Sequence, residues 1–234
     1  MLTVENLTKR YGDETVVRSV SARLRPGEVT VLVGRSGAGK TTFLRCLDGL
    51  ERPDEGNVRL DGVPLAPVDA ALVFQSGALV DRKSALENVL DGSLGREPAW
   101  RELLGTHSAH EKRAAVERLH AVGLAGSADR RVGSLSGGEQ QRVGVARALQ
   151  QEPSVLLADE PVASLDPETA RSVLALFGEV VRERDLVGVV SLHQPGLADE
   201  VADRFLGMRA GELVVDVPPG EFDEATRREV YGDG

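Results

Sequence analysis

Hydrophobic and polar positions alternate with a period of two in the first stretch, up to about Arg25. Both the run LTVENL and the later run VVRSVSARL read as short half-buried strands. Residues 29–33 are a short, mainly β-branched run closed by glycine, the pattern of a buried strand. The spacing changes to 3.6 over residues 40–50, where Phe43, Leu44 and Leu47 share one side of a predicted helix. Pro53-Asp54-Glu55-Gly56 predicts a turn, and residues 57–65 a hairpin closed by Asp61-Gly62. Residues 71–74 predict another buried strand.

From Ser84 to about Gln151 the pattern is helical, with helices expected over 84–90, 99–104, 109–122 and 138–151. Strand and helix then alternate: a strand at 154–158, a helix at 167–184, a strand at 187–192 and a helix at 197–205. Two short strands end near Val217, and a solvated helix follows from Glu221 onward. Such alternation implies an α/β fold with a mostly parallel sheet covered by helices on both faces. An N-terminal antiparallel β subdomain precedes it, and an α-helical subdomain is inserted. The expected division of the single domain is residues 1–75 and 152–234 for the core and 76–151 for the helical insert.

Composition narrows the function classes. The 234 residues are 41% hydrophobic, enough to bury a core. Aromatics are only 3%, too few for a base-stacking surface, and a formal charge of −9 opposes a broad phosphate-backbone footprint. No nucleic-acid partner is therefore expected. Cys46 is the single cysteine, so no internal disulfide can form. There is no signal-peptide pattern at the N-terminus and no apolar stretch of membrane-spanning length. The expectation is a cytoplasmic protein that reaches a membrane through a partner. His107, His110 and Glu111, with His120 further on, read as a polar helix face rather than a metal site.

Gly34-Arg35-Ser36-Gly37-Ala38-Gly39-Lys40-Thr41 fits the phosphate-loop spacing G-x-x-x-x-G-K-[ST], between a predicted strand and a predicted helix. Glycines let successive N–H groups turn toward phosphate oxygens, and the helix start adds its positive end. Lys40 is expected to reach the β- and γ-phosphates and Thr41 to bind Mg²⁺, with Thr42 beside it. A pair of acids, Asp159 and Glu160, follows the strand of residues 154–158. Neighbours on a strand point to opposite faces, so the chain must turn at Glu160, before Pro161, for both to serve one nucleotide. Asp159 then suits Mg²⁺ and Glu160 a general base on water.

The segment Leu135-Ser136-Gly137-Gly138-Glu139-Gln140-Gln141-Arg142 closely resembles the signature motif of the ABC-type ATPases, a branch of the P-loop NTPases. Read physically, two glycines and a serine at a helix start suit an anion, and Ser136 with Glu139 also makes a capping box. The resemblance covers essentially the whole chain. It implies that Tyr11 stacks on adenine and that Gln75 touches Mg²⁺ or the water. It likewise implies that Asp166, in Ala163-Ser164-Leu165-Asp166, crosses between subunits and that His193 contacts the γ-phosphate. Asp166 also reads as a helix cap before Pro167. The resemblance further implies a head-to-tail homodimer, in which Ser136, Gly137 and Gly138 of one copy complete the ATP site of the other.

Glu87-Asn88-Val89-Leu90, Gly92-x-Leu94-Gly95-Arg96, Trp100 and Val190-Ser191-Leu192-His193-Gln194 are similar to the phosphonate-import ATPases. Ser76 and Glu139 depart from that pattern. The implied partners are transmembrane permease subunits and, indirectly, a solute-binding protein, with residues 76–88 docking the permease at the cytoplasmic face of the membrane. A soluble ABC ATPase of repair or cofactor assembly, and a mechanical module of lipoprotein release or division, are the alternatives.

Overall fold

The computed structural model describes residues 1–74, 79–94 and 106–232. The expected helix over 99–104, Gln75 and Trp100 lie outside them.

Strands β1 (Leu2–Tyr11), β2 (Glu14–Leu24), β4 (Glu55–Leu60) and β5 (Val63–Pro64) form an antiparallel sheet in the order β2-β1-β4-β5. Asp61 and Gly62 close the β4–β5 hairpin with φ of 49° and 84°, the left-handed pair that a two-residue turn requires. The expected turn at 53–56 is shorter than the sequence suggested, because Glu55 and Gly56 already belong to β4. A Cβ on Gly56 would stand 2.4 Å from the carbonyl oxygens of both Glu5 and Asn6, so glycine lets β4 close on β1.

The second sheet contains β3 (Val29–Val33), β6 (Ala70–Phe74), β7 (Val155–Asp159), β8 (Val187–Leu192), β9 (Arg204–Arg209) and β10 (Glu212–Val217). Its order is β10-β9-β3-β8-β7-β6, parallel except for the β9–β10 hairpin. Alternate residues of these strands feed two separate cores. Leu32, Leu157, Val189 and Leu206 pack with α1 (Lys40–Asp48) and the first sheet. Val31, Leu156, Val190 and Phe205 pack on the opposite face, in the same cluster as α2 (Ala85–Leu90), α3 (Ala109–Ala121), α4 (Gly137–Gln150) and α5 (Pro167–Glu183). Both faces of the sheet are thus covered, which is why its strands read as apolar runs.

The helix expected over 197–205 is not formed. A single 3₁₀ turn, Pro195–Leu197, is followed by turns until β9 begins at Arg204. Ala198 and Val201 donate to carbonyls three residues back, and the Val201 carbonyl accepts from the Arg182 guanidinium at 2.8 Å. Only one i→i+4 bond forms, from the Ala202 N–H to the Ala198 carbonyl at 2.8 Å, so these local and tertiary bonds stand in place of a continuous ladder. The final helix, α6 (Glu224–Tyr231), starts later than expected and is not wholly solvated. Val230 is fully buried, and a Cβ on Gly207 of β9 would stand 2.3 Å from its Cγ2.

Candidate active site

Gly34 to Gly39 link the end of β3 to the start of α1. Two of the glycines are required by close approach. A Cβ on Gly34 would stand 2.4 Å from the Met208 carbonyl oxygen, and one on Gly39 2.6 Å from that of Val16. Gly34, Gly37 and Gly39 also have φ of 155°, 79° and 99°. Arg35, Ser36 and Gly37 are exposed, whereas Ala38, Gly39 and Lys40 are buried. No side chain caps α1, so the first N–H groups of the helix remain available to an anion.

Lys40 is 4% exposed, and its ammonium donates to the Gly34 carbonyl at 2.9 Å and the Arg35 carbonyl at 3.3 Å. Burial pulls its pKa down, and the carboxylates of Glu160 and Asp159 oppose that shift. Glu160 approaches from β7, with Oε1 at 3.9 Å from the Lys40 ammonium and 2.7 Å from His193 Nε2. The loop from Ser36 to Thr42 and Glu160 line one cavity of about 160 Å³. Glu160 and His193 also line a second of about 290 Å³.

The turn required at Glu160 is present: φ is 49°, left-handed, immediately before Pro161. Its N–H donates to the Ser191 hydroxyl at 2.9 Å, and that hydroxyl donates to Asp159 Oδ1 at 2.7 Å. Thr41 and Asp159 supply hydroxyl and carboxylate oxygens, the hard donor type that Mg²⁺ takes.

The signature segment builds a capped helix start. Ser136 Oγ accepts from the Glu139 N–H at 3.3 Å, and Glu139 Oε2 accepts from the Ser136 N–H at 2.8 Å, the expected capping box. That backbone bond, with the Ser136 hydroxyl and Arg130 adding to it, holds the Glu139 carboxyl below its ordinary pKa. Arg130 stands 2.8 Å from Glu139 Oε1. Asp166 caps α5, accepting from the Glu168 and Thr169 N–H groups at 3.1 and 3.0 Å.

The structure therefore brings the phosphate loop, Glu160 and His193 together, with Asp159 adjacent. Ser136, Gly137, Gly138 and Asp166 line neither of the two cavities. Tyr11 is 44% exposed at the end of β1, with the Lys9 ammonium 5.2 Å from its ring centre.

Residues 17–163, well over half of the chain, match the family model described as ABC transporter. The chain belongs to the ABC transporter family. That membership carries the family's activity, ATP hydrolysis. The chain is 67% identical over 233 residues to a phosphonates import ATP-binding protein of Natronomonas pharaonis, covering 100% of both chains. It is 45% identical to one of Wolinella succinogenes, covering 100% of this chain and 89% of the relative. The fold matches a nucleotide-free ATP-binding cassette from an ABC transporter with a TM-score of 0.85 at 23% identity, covering 98% of this chain and 94% of that one. A dimeric bacterial ABC transporter cassette matches with a TM-score of 0.78 at 30% identity, over 94% and 99%.

Ser191 and Thr169 escaped the sequence reading of this ABC transporter family member as site residues. Ser191 had a signal: it is the one hydroxyl inside the otherwise apolar run Val-Gly-Val-Val-Ser-Leu of β8, and a buried polar side chain needs partners. Thr169 had none, because its role is a packing contact with Gly138.

Proposed function

We propose that this chain is the ATP-hydrolysing subunit of a membrane importer for phosphonate or a related oxyanion. The observation that carries this reading is the 67% identity, end to end, with a phosphonates import ATP-binding protein. Its action is driven by closure of two copies over two nucleotides, so that ATP is the ligand favouring the closed state. Arg35, Ser36, Gly37 and Ala38 wrap the phosphates with their backbone, Lys40 neutralises them, and Tyr11 stacks on adenine. Thr41, Asp159 and Gln75 hold Mg²⁺, which supplies Lewis-acid polarisation of the phosphoryl oxygens when bound. Glu160 accepts the proton of the attacking water, and His193, with Nε2 2.7 Å from Glu160 Oε1, contacts the γ-phosphate. Ser136, Gly137, Gly138 and Asp166 act on the nucleotide of the second copy, which agrees with their place outside the two cavities around Glu160.

Among the described residues no helix is long and apolar enough to cross a membrane. The importer reading, which rests on the relatives, carries permease partners in the cell membrane with it. Residues 76–88 are their docking stretch, at the junction of the core with the helical subdomain of residues 76–151. A cavity of about 320 Å³ opens there, lined by Phe74, Leu79, Asp81, Gln141 and Arg147.

The test is genetic and biochemical together. Deleting the gene should abolish growth on a phosphonate as sole phosphorus source while growth on phosphate survives, and a mild-detergent pull-down should recover a polytopic membrane protein and a solute-binding protein. Unchanged growth on phosphonate, with only soluble partners recovered, would overturn the importer reading and favour a soluble ATPase.

A further inference from the structure

Two neighbouring acids on one strand face opposite ways, yet Asp159 and Glu160 are read as serving a single nucleotide. What reconciles them is a side chain from the next strand. Parallel pairing of β7 with β8 sets Asp159 beside Ser191. Ser191 is 0% exposed, in a strand whose six residues are all buried. Its hydroxyl has one proton and two lone pairs, and the structure uses both capacities. The proton goes to Asp159 Oδ1 at 2.7 Å and a lone pair accepts the Glu160 N–H at 2.9 Å.

Each bond fixes something different. The bond to Asp159 commits one carboxylate oxygen and sets the plane of the group, leaving Oδ2 outside that bond. The bond from Glu160 anchors its peptide where φ is +49°, a conformation that a residue with a Cβ adopts only when its surroundings enforce it. From that anchored peptide the Glu160 carboxylate reaches His193 Nε2 at 2.7 Å.

We propose that Ser191 is a positioning residue of the hydrolytic site, whose single hydroxyl locks the metal-side acid and the general base into one unit. The proposal rests on Asp159 and Glu160 having those two roles. Outer partners of this kind are worth roughly 10–100-fold in metal affinity or turnover. Ser191 is fully buried, so it acts only through the two acids that it bonds.

The test compares Ser191→Ala, Ser191→Cys and Ser191→Thr in the full chain. Cysteine keeps the volume but is a poor donor, and threonine keeps the hydroxyl. We expect Ala and Cys to lower kcat roughly 10–100-fold with KM for ATP changed less than about threefold. Binding of a fluorescent ATP analogue without metal should be unchanged, while the Mg²⁺ concentration that half-saturates its metal-dependent binding rises several-fold. Threonine should restore both. A Cys variant with parent turnover and Mg²⁺ dependence would overturn the proposal, since volume alone would then suffice. Should the Thr variant not fold, the comparison of Ala with Cys still decides. Asp159→Asn and Glu160→Gln run in parallel: if they keep parent turnover and metal dependence, the site assignment has failed rather than the role of Ser191.

Discussion

Gly138 separates what a signature glycine does for its own subunit from what it does for a partner's nucleotide. A Cβ built on Gly138 would stand 2.5 Å from Cγ2 of Thr169 and 4.0 Å from Thr169 Cβ. Ordinary carbon contacts lie near 3.5–4.0 Å, so Gly138→Ala forces a displacement on the order of 1 Å between α4 and α5. Overpacking of that kind costs about 1–3 kcal/mol. The clash is with one methyl group, and Thr169→Ser removes it while keeping the N–H that Asp166 accepts. Losing a half-buried methyl costs about 0.4 kcal/mol, half of the ~0.8 for a buried methylene. Urea denaturation of the parent, both single variants and the double variant measures the coupling. The double should recover most of the stability that Gly138→Ala loses. If it is no more stable than Gly138→Ala alone, the steric account of Gly138 is wrong. ATPase activity of the stability-restored double then reads the other role, because a persistent loss belongs to contacts outside the subunit.

Glu160→Gln should keep ATP binding, lower turnover by about 10²–10⁴-fold and trap a nucleotide-bound dimer on size exclusion, whereas Lys40→Ala should lose tight binding itself. Burial raises the pKa of Asp48, at the C-terminal end of α1, from 3.8 to about 6. The folded state thus holds this proton more tightly, so the stability it contributes is present below about pH 4 and lost as pH rises through about 6. Asp48→Asn should therefore stabilise the protein at pH 7 by at most ~3 kcal/mol and change little at pH 4, as thermal melts at the two pH values would show. Burial likewise pushes the Cys46 thiol to about 11, and the residue is 4% exposed. Alkylation at pH 7 should be negligible in the folded protein and track the unfolding transition in urea.

What was legible in the sequence was whatever is enforced locally. The phosphate loop, the Ser136–Glu139 capping box, the Asp166 cap and the Asp61-Gly62 hairpin are each settled by residues within a few positions of one another. The two-faced burial of the second sheet was visible for the same reason, as the largely apolar runs of β3, β6, β7 and β8. Sheet order was not, because nothing within β3 says that β8 and β9 flank it. The helix expected at 197–205 failed for a related cause: its apolar spacing is real, but Arg182, from α5, takes a carbonyl there. Ser191 shows the limit most clearly, since its partners lie more than thirty residues away and only strand pairing brings them close.

The helix that begins at the signature segment rests on the edge strand of the second sheet through Gly144, where an added Cβ would stand 3.5 Å from Val73 Cγ1. With no side chain of its own at that point, α4 can be treated as a beam pivoting on β6, with α2, α3 and α5 packed along its other sides. Seven residues separate the pivot from Gly137 at the tip, an arm of about 10 Å at 1.5 Å per residue. Tilting the beam by about 10° would carry its tip nearly 2 Å, the difference between a hydrogen bond made and one lost. β6 runs directly into the stretch proposed as the permease dock. A push from the dock that tilted the helix about this contact by that much would make or break contacts at its tip.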